Sequence, residues 1–232
     1  MSESLERVRE VRELPLFPLP LVLFPGVPLP LHIFEPRYRQ MLADVLASNK
    51  LFGLSYHDPE RGARPSVGHV GCAAEVVEVQ PLDDGRSNLL AVGLVRYEVE
   101  EYAEHDEPYL VGRVRFFEDE PEDEELLARR AREVSELFLR IANAVRALND
   151  ERAALPELPE TEPERLSFLV AAAIEIDAEV KQQLLELRSS FERLSRLRDL
   201  LAQAVTGYEE RARMHHVVRG NGHSGKKVDF QE

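Results

Sequence analysis

The chain carries one cysteine, Cys72, in 232 residues. That excludes an internal disulfide and any multi-cysteine zinc site, and it fits a reducing compartment. A small buried core residue is the expected role of such a cysteine. No apolar run approaches the ~20 residues of a membrane span, and the opening MSESLERVREVRE is polar and mixed in charge. Neither a span nor a secretory signal is therefore expected, and the expected location is cytoplasmic. Basic charge is in deficit: 43 acidic residues face 29 basic ones, only four of them lysine, for a net charge of −14. Such a field repels phosphate backbones, whose binding needs clustered Lys and Arg, so nucleic acid is disfavoured as a partner.

Catalytic signatures are also missing. There is no HExxH and no GxSxG, the patterns of zinc peptidases and serine hydrolases. The segment Gly220-Asn221-Gly222-His223-Ser224-Gly225-Lys226-Lys227 nearly spells a phosphate-binding loop. Its last position is Lys where a magnesium-binding Ser or Thr is needed, and five residues remain for the helix that should follow. His215, His216 and His223 lack the spacing of a zinc site. No metal, cofactor or catalytic residue is expected.

What the chain does have is proline in an unusual place. LPLFPLPLVLFPGVPLPLHIFEPRYRQM, from Leu14 to Met41, holds seven prolines in an apolar stretch. Proline fixes φ and has no N–H to donate, so the run predicts short edge strands and turns rather than helix or a central strand. Pro25-Gly26 suits a tight turn. From Pro36 the grammar changes: Tyr38, Met41, Leu42, Val45 and Leu46 share one helical face, predicting a helix over 36–48. Strands are predicted over 51–56, 72–81, 88–101 and 109–117, with Asp83-Asp84-Gly85 as a hairpin turn and 57–71 as a long loop.

Between Glu118 and Glu125 seven of eight residues are acidic, which reads as solvated charge before a helix running to about Leu148. Thr161 with Glu164, and Ser189 with Glu192, have capping-box spacing, and Asp177 suits a third cap. Helices over 162–174, 178–187 and 190–206 follow. After Gly207 the polar, Gly-containing sequence is expected to be a disordered tail. The fold class is α+β. Residues 1–12 form an N-terminal extension, 13–118 a β-rich domain, 119–206 a helical bundle and 207–232 the tail.

Six segments in order carry a family resemblance: LPLFPLPLVLFPG, LPLHIFEPRYRQML, FGLSY, LDDGRSNLLAVGLVRYEV, EVKQQLLEL and FERLSRL. Over residues 13–206 the chain resembles the N-terminal substrate-binding domain of Lon-type proteases. The resemblance implies a PUA-like β-barrel or sheet followed by a helical bundle, a module usually found ahead of an ATPase and a peptidase. The family's Ser-Lys peptidase dyad does not carry over, because Lys50 and Lys181 fall in segments matching the non-catalytic domain. The implied function is a stand-alone, non-enzymatic binder of unfolded or degron-bearing polypeptide, an adaptor or sensor in quality control, with protease or chaperone machinery as partner.

The candidate binding residues are Phe24, His32, Phe34, Arg37 and Tyr38. Phe24 and Phe34 would floor a groove rimmed by the other three, with edge-strand backbone supplying hydrogen bonds. The alternative is a small-molecule binder or hydrolase in a cleft beside the 57–71 loop, using His57, Asp58, His69 and Glu75. Weak self-association through exposed apolar prolines is a third expectation.

Overall fold

The computed structural model describes residues 2–58, 60, 62, 64–104, 106–149 and 161–221. Six strands and six helices among them make an α+β protein, as the sequence pattern implies. The order is α1 Glu3–Val8, β1 Glu13–Leu19, β2 Pro28–Ile33, α2 Pro36–Ala47, β3 Leu51–Tyr56, β4 Val70–Pro81, β5 Ser87–Tyr102, β6 Leu110–Phe117, α3 Glu124–Leu148, α4 Pro163–Ala173, α5 Ala178–Glu186 and α6 Ser190–Asn221. Two compact units emerge, one drawn from Met1–Glu122 and Glu162–Arg193, the other from Asp123–Thr161 and Leu194–Glu232. Compactness thus groups α4 and α5 with the sheet, whereas the sequence pattern groups them with α3.

In the first unit the strands run in the order β2-β5-β4-β3-β1-β6, and β5 also pairs with β6. The sheet therefore closes on itself through β5, β4, β3, β1 and β6, with β2 appended to β5. The period-two alternation of each strand serves two apolar clusters on opposite faces. Phe17, Phe52, Leu54, Val76 and Leu89 meet Tyr38, Met41, Leu42 and Val45 of α2 in one. Leu14, Leu16, Leu51, Val95, Tyr97, Val99 and Val114 make the other, with Val8 of α1. Cys72 is wholly buried, and burial pushes its thiol up to about 12.

The proline run departs from expectation in one respect. β1 is not an edge: it pairs antiparallel with β6 over Glu13–Leu16 and parallel with β3 over Leu16–Leu19. The Leu19 carbonyl accepts from His57 N beyond β3 and the Arg12 carbonyl accepts from Val114 N of β6, so odd residues face β3 and even residues face β6. Pro15 therefore turns toward β3 one residue ahead of the first β1–β3 pair, Leu16 with Gly53, and Pro18 turns toward β6 two residues past the last β1–β6 pair, Leu16 with Leu110. Each missing N–H falls on an unpaired side, which is how an interior strand carries two prolines. Pro25-Gly26 forms the expected turn: Val27 N donates to the Phe24 carbonyl and Gly26 takes φ 77°.

The acidic run is the second departure. The Asp119 side chain is 5% exposed, not solvated, and binds Arg96 of β5 and Arg193 of α6, both 1% exposed or less. Glu122 accepts from the Ser189 hydroxyl and Phe191 N, while Asp123 caps α3 through Leu126 N. Ser189 caps α6 as expected, accepting from Glu192 N, but α4 starts at Pro163 with Glu162 rather than Thr161 as its cap residue.

The second unit holds α3 and the greater part of α6. Here Arg140 of α3 makes a two-pronged ion pair with Glu209 of α6 at 2.9 and 3.0 Å. α6 does not stop near Gly207 but continues to Asn221, because one glycine costs a long helix only about 1 kcal/mol. Residues 222–232 of the expected tail, with most of the GNGHSGKK segment, lie outside the described residues.

Candidate functional site

The structure does not bring the five candidate residues into one groove. Phe24 is fully buried, its ring 6.1 Å from Phe168 of α4, so it offers no surface to a ligand. Phe34 is 59% exposed and stacks at 6.0 Å on His32, whose Nδ1 lies 2.7 Å from Asn88 Oδ1 on β5. Tyr38 is buried against Phe17 at 4.2 Å, and the Arg37 guanidinium sits 4.4 Å over its ring while pairing with Glu35 at 2.9 Å.

Nor can β2 supply the expected row of backbone donors. The Val27 carbonyl accepts from Gly93 N of β5, so alternate residues from Val27 face β5, and Pro28, Pro30 and His32 face outward. Two of those three positions have no N–H. The edge is guarded against strand addition.

Arg37 and Tyr38 do line a cleft elsewhere, of about 570 Å³, together with Pro18, Pro20, Tyr102 and Tyr109. Its origin lies in the register of β1 on β6. Leu14 stands opposite Gly112 and Leu16 opposite Leu110, so the next facing pair is Pro18 with Pro108. Neither can donate a hydrogen bond, and the ladder ends there. The two strands separate into an open seam.

Aromatic side chains furnish the seam's walls. Tyr109 donates to Asp44 Oδ2 at 2.8 Å, and burial, then that hydrogen bond and the Asp44 charge, raise its pKa. Tyr102 donates to the Pro65 carbonyl at 2.8 Å, with the Arg64 guanidinium 4.1 Å above its ring. The loop after β3 thus becomes one lip, fixed further by His57 Nε2 donating to the Gly62 carbonyl at 2.8 Å. Sequence reasoning passed over Pro18, Tyr102, Pro108 and Tyr109; a matched pair of prolines becomes a signal only once the strand register is known.

The alternative set of His57, Asp58, His69 and Glu75 does not converge. His57 lines the cleft, but Glu75 pairs with Arg7 of α1 at 2.8 Å. No group of three metal-ligating side chains exists among the described residues. His69 turns inward, its Nε2 buried without a partner, and burial, aided by His57, lowers its pKa from 6.5 to about 4. The neutral ring's stabilising contribution is therefore complete above pH 6.5 and lost as pH falls toward 4. Urea unfolding at about pH 7 and about pH 4.5 should show a stability loss that His69→Gln diminishes; equal losses in both proteins would contradict this.

The model of the ATP-dependent protease La (LON) substrate-binding domain matches residues 13–203. The chain belongs to this Lon substrate-binding domain family. Among Lon proteases, that of Anaeromyxobacter dehalogenans is 30% identical over 209 residues, covering 81% of this chain and 24% of the relative. The Trichlorobacter lovleyi enzyme is 28% identical, covering 85% and 25%. The chain thus spans about a quarter of the length of these Lon relatives.

Two solved Lon structures share the fold. The N-terminal domain of a Mycobacterium avium complex Lon protease superposes with a TM-score of 0.64 at 19% identity, over 82% of this chain and 98% of that one. A Lon N-terminal domain protein from Xanthomonas campestris gives 0.58 at 23% identity, over 81% and 97%. No helix among the described residues is long and apolar enough to cross a membrane.

Proposed function

We propose that this chain is a non-catalytic polypeptide-recognition module, acting as an adaptor or sensor that presents unfolded or degron-bearing segments to protease or chaperone machinery. The observation that carries the reading is the family match over residues 13–203, which falls on the substrate-binding part of Lon. The seam supports it. Its lining joins the strand-end backbone at Pro18 and Pro108, where the β1–β6 ladder stops, to tyrosine and proline surfaces, the combination that recognises extended peptide.

The test is direct titration with reduced, carboxamidomethylated α-lactalbumin, which blocked cysteines keep unfolded. Saturable binding is expected with a Kd of ~100 μM or tighter, about −5.5 kcal/mol, with the disulfide-intact protein bound at least tenfold more weakly. Equal binding of both forms, or none of the unfolded form at that concentration, rejects the reading.

A further inference from the structure

We propose that the β1–β6 seam takes its polypeptide as an inserted strand and reads the backbone itself: it accepts N–H groups from the incoming segment and rejects proline at the facing positions. This inference rests on the polypeptide-recognition reading above and specifies what is recognised.

The geometry begins from the partner exchange at Leu16. Odd residues of β1 are committed to β3, through Leu19 and His57 among others. Pro18, an even residue, turns its carbonyl toward the seam and has no N–H to accompany it. Pro108 opposite is equally without a donor. A strand edge of this kind is one-sided, offering acceptors and no donors, and its complement is a segment with free backbone N–H groups.

The lining carries Glu104 and Glu107 beside Arg37, which is held by Glu35, and Arg64, which lies on Tyr102. The outer edge of β2 is similarly short of donors, but it faces open solvent. The seam sets strand-end backbone beside the rings of Tyr102 and Tyr109 in a cleft of about 570 Å³, inside the roughly 300–1,000 Å³ range of ligand clefts. A segment with alternating aromatic side chains would place one face on those rings and its N–H groups alternately on the Pro18 and Pro108 sides.

The experiment uses the full chain and a fluorescein-labelled ten-residue peptide of alternating threonine and phenylalanine, flanked by lysines. Two further versions carry N-methyl groups on all threonine or on all phenylalanine nitrogens. Both methylated versions are expected to bind at least tenfold more weakly than the unmodified peptide, because alternate N–H groups face the Pro18 edge and the rest face the Pro108 edge. If the unmodified peptide binds and either methylated version binds as tightly as it does, strand insertion is overturned while polypeptide recognition stands. If the unmodified peptide fails to bind, the recognition reading falls with it.

A double variant, Pro18→Val with Pro108→Val, gives an independent check. Restoring both donors should zip β6 further along β1, protect the new amides from hydrogen exchange and weaken peptide binding at least tenfold. Protected amides with unchanged binding would overturn the proposal.

Discussion

Asp119→Ala is expected to destabilise the first unit by about 3–5 kcal/mol, the cost of removing one partner from a buried ionic group. Its carboxylate is shared by Arg96 and Arg193 and also accepts from the Ser190 hydroxyl. Both guanidiniums are otherwise well placed. Arg96 donates to the Leu185 carbonyl at 3.0 Å and lies 4.6 Å over the Phe117 ring. Arg193 donates to the Leu187 carbonyl at 2.9 Å and to Ser167 Oγ at 2.7 Å, with Phe168 3.9 Å beneath.

Without Asp119, two buried positive charges would face each other, with Glu164 as the carboxylate left coupled to both. Burial alone would raise the Asp119 pKa; the hydrogen bonds and charge of Arg193, then Arg96, outweigh it and hold the carboxyl below its ordinary value. The stability so gained is present above the unfolded carboxylate pKa and lost as pH falls through the folded one. Urea denaturation of Asp119→Ala beside Glu120→Ala decides the matter. The exposed Glu120 should cost less than about 0.5 kcal/mol, and equal losses would show the clamp to be energetically idle.

The second large effect is expected from a single methyl group. In Gly93→Ala the new Cβ would lie 2.2 Å from the Phe24 carbonyl oxygen and 2.9 Å from its carbon. Those are backbone atoms and cannot swing aside. The same turn is fixed by Gly26 N donating to the Gly93 carbonyl at 2.8 Å and Gly93 N donating to Val27 at 3.0 Å. A loss of about 3 kcal/mol or more is expected.

Gly207→Ala supplies the opposite sign. That residue lies exposed within α6 with open space around its Cβ direction, and alanine should stabilise the helix by about 1 kcal/mol. Thermal melts of the two variants should move in opposite directions. A Gly93→Ala midpoint within error of the parent would refute the close approach.

Much of the architecture was legible because local rules act alone in it. The apolar face of α2, the β3 strand, the Asp-Gly hairpin and the Ser189 cap each depend on residues close in sequence. Two things were not legible. β1 could be interior only because its pairing changes sides at Leu16, and no local pattern announces that. Asp119 looked like one acid among seven, and its burial depends on Arg96 and Arg193, both distant in sequence. The candidate groove failed for a related reason: Phe24 and Phe34 are alike in composition, but one packs on Phe168, which arrives with α4. Arg37 and Tyr38 are expected to rim a groove over Phe24 and Phe34, and the seam they do line could not be foreseen from local sequence.

The exchange of partners along β1 also bears on how a ribosome would deliver this fold. β1 is made first, yet its second neighbour is β6, and Arg96 must wait for Arg193. At roughly 5–20 residues per second each wait is on the order of ten seconds. Throughout that interval the nascent chain carries an unclosed sheet, the state in which strands pair with the wrong molecule. Pro15 and Pro18 stand on β1, and Pro28 and Pro30 on β2, which must itself wait for β5. The prolines that shape the finished molecule would also protect the unfinished one.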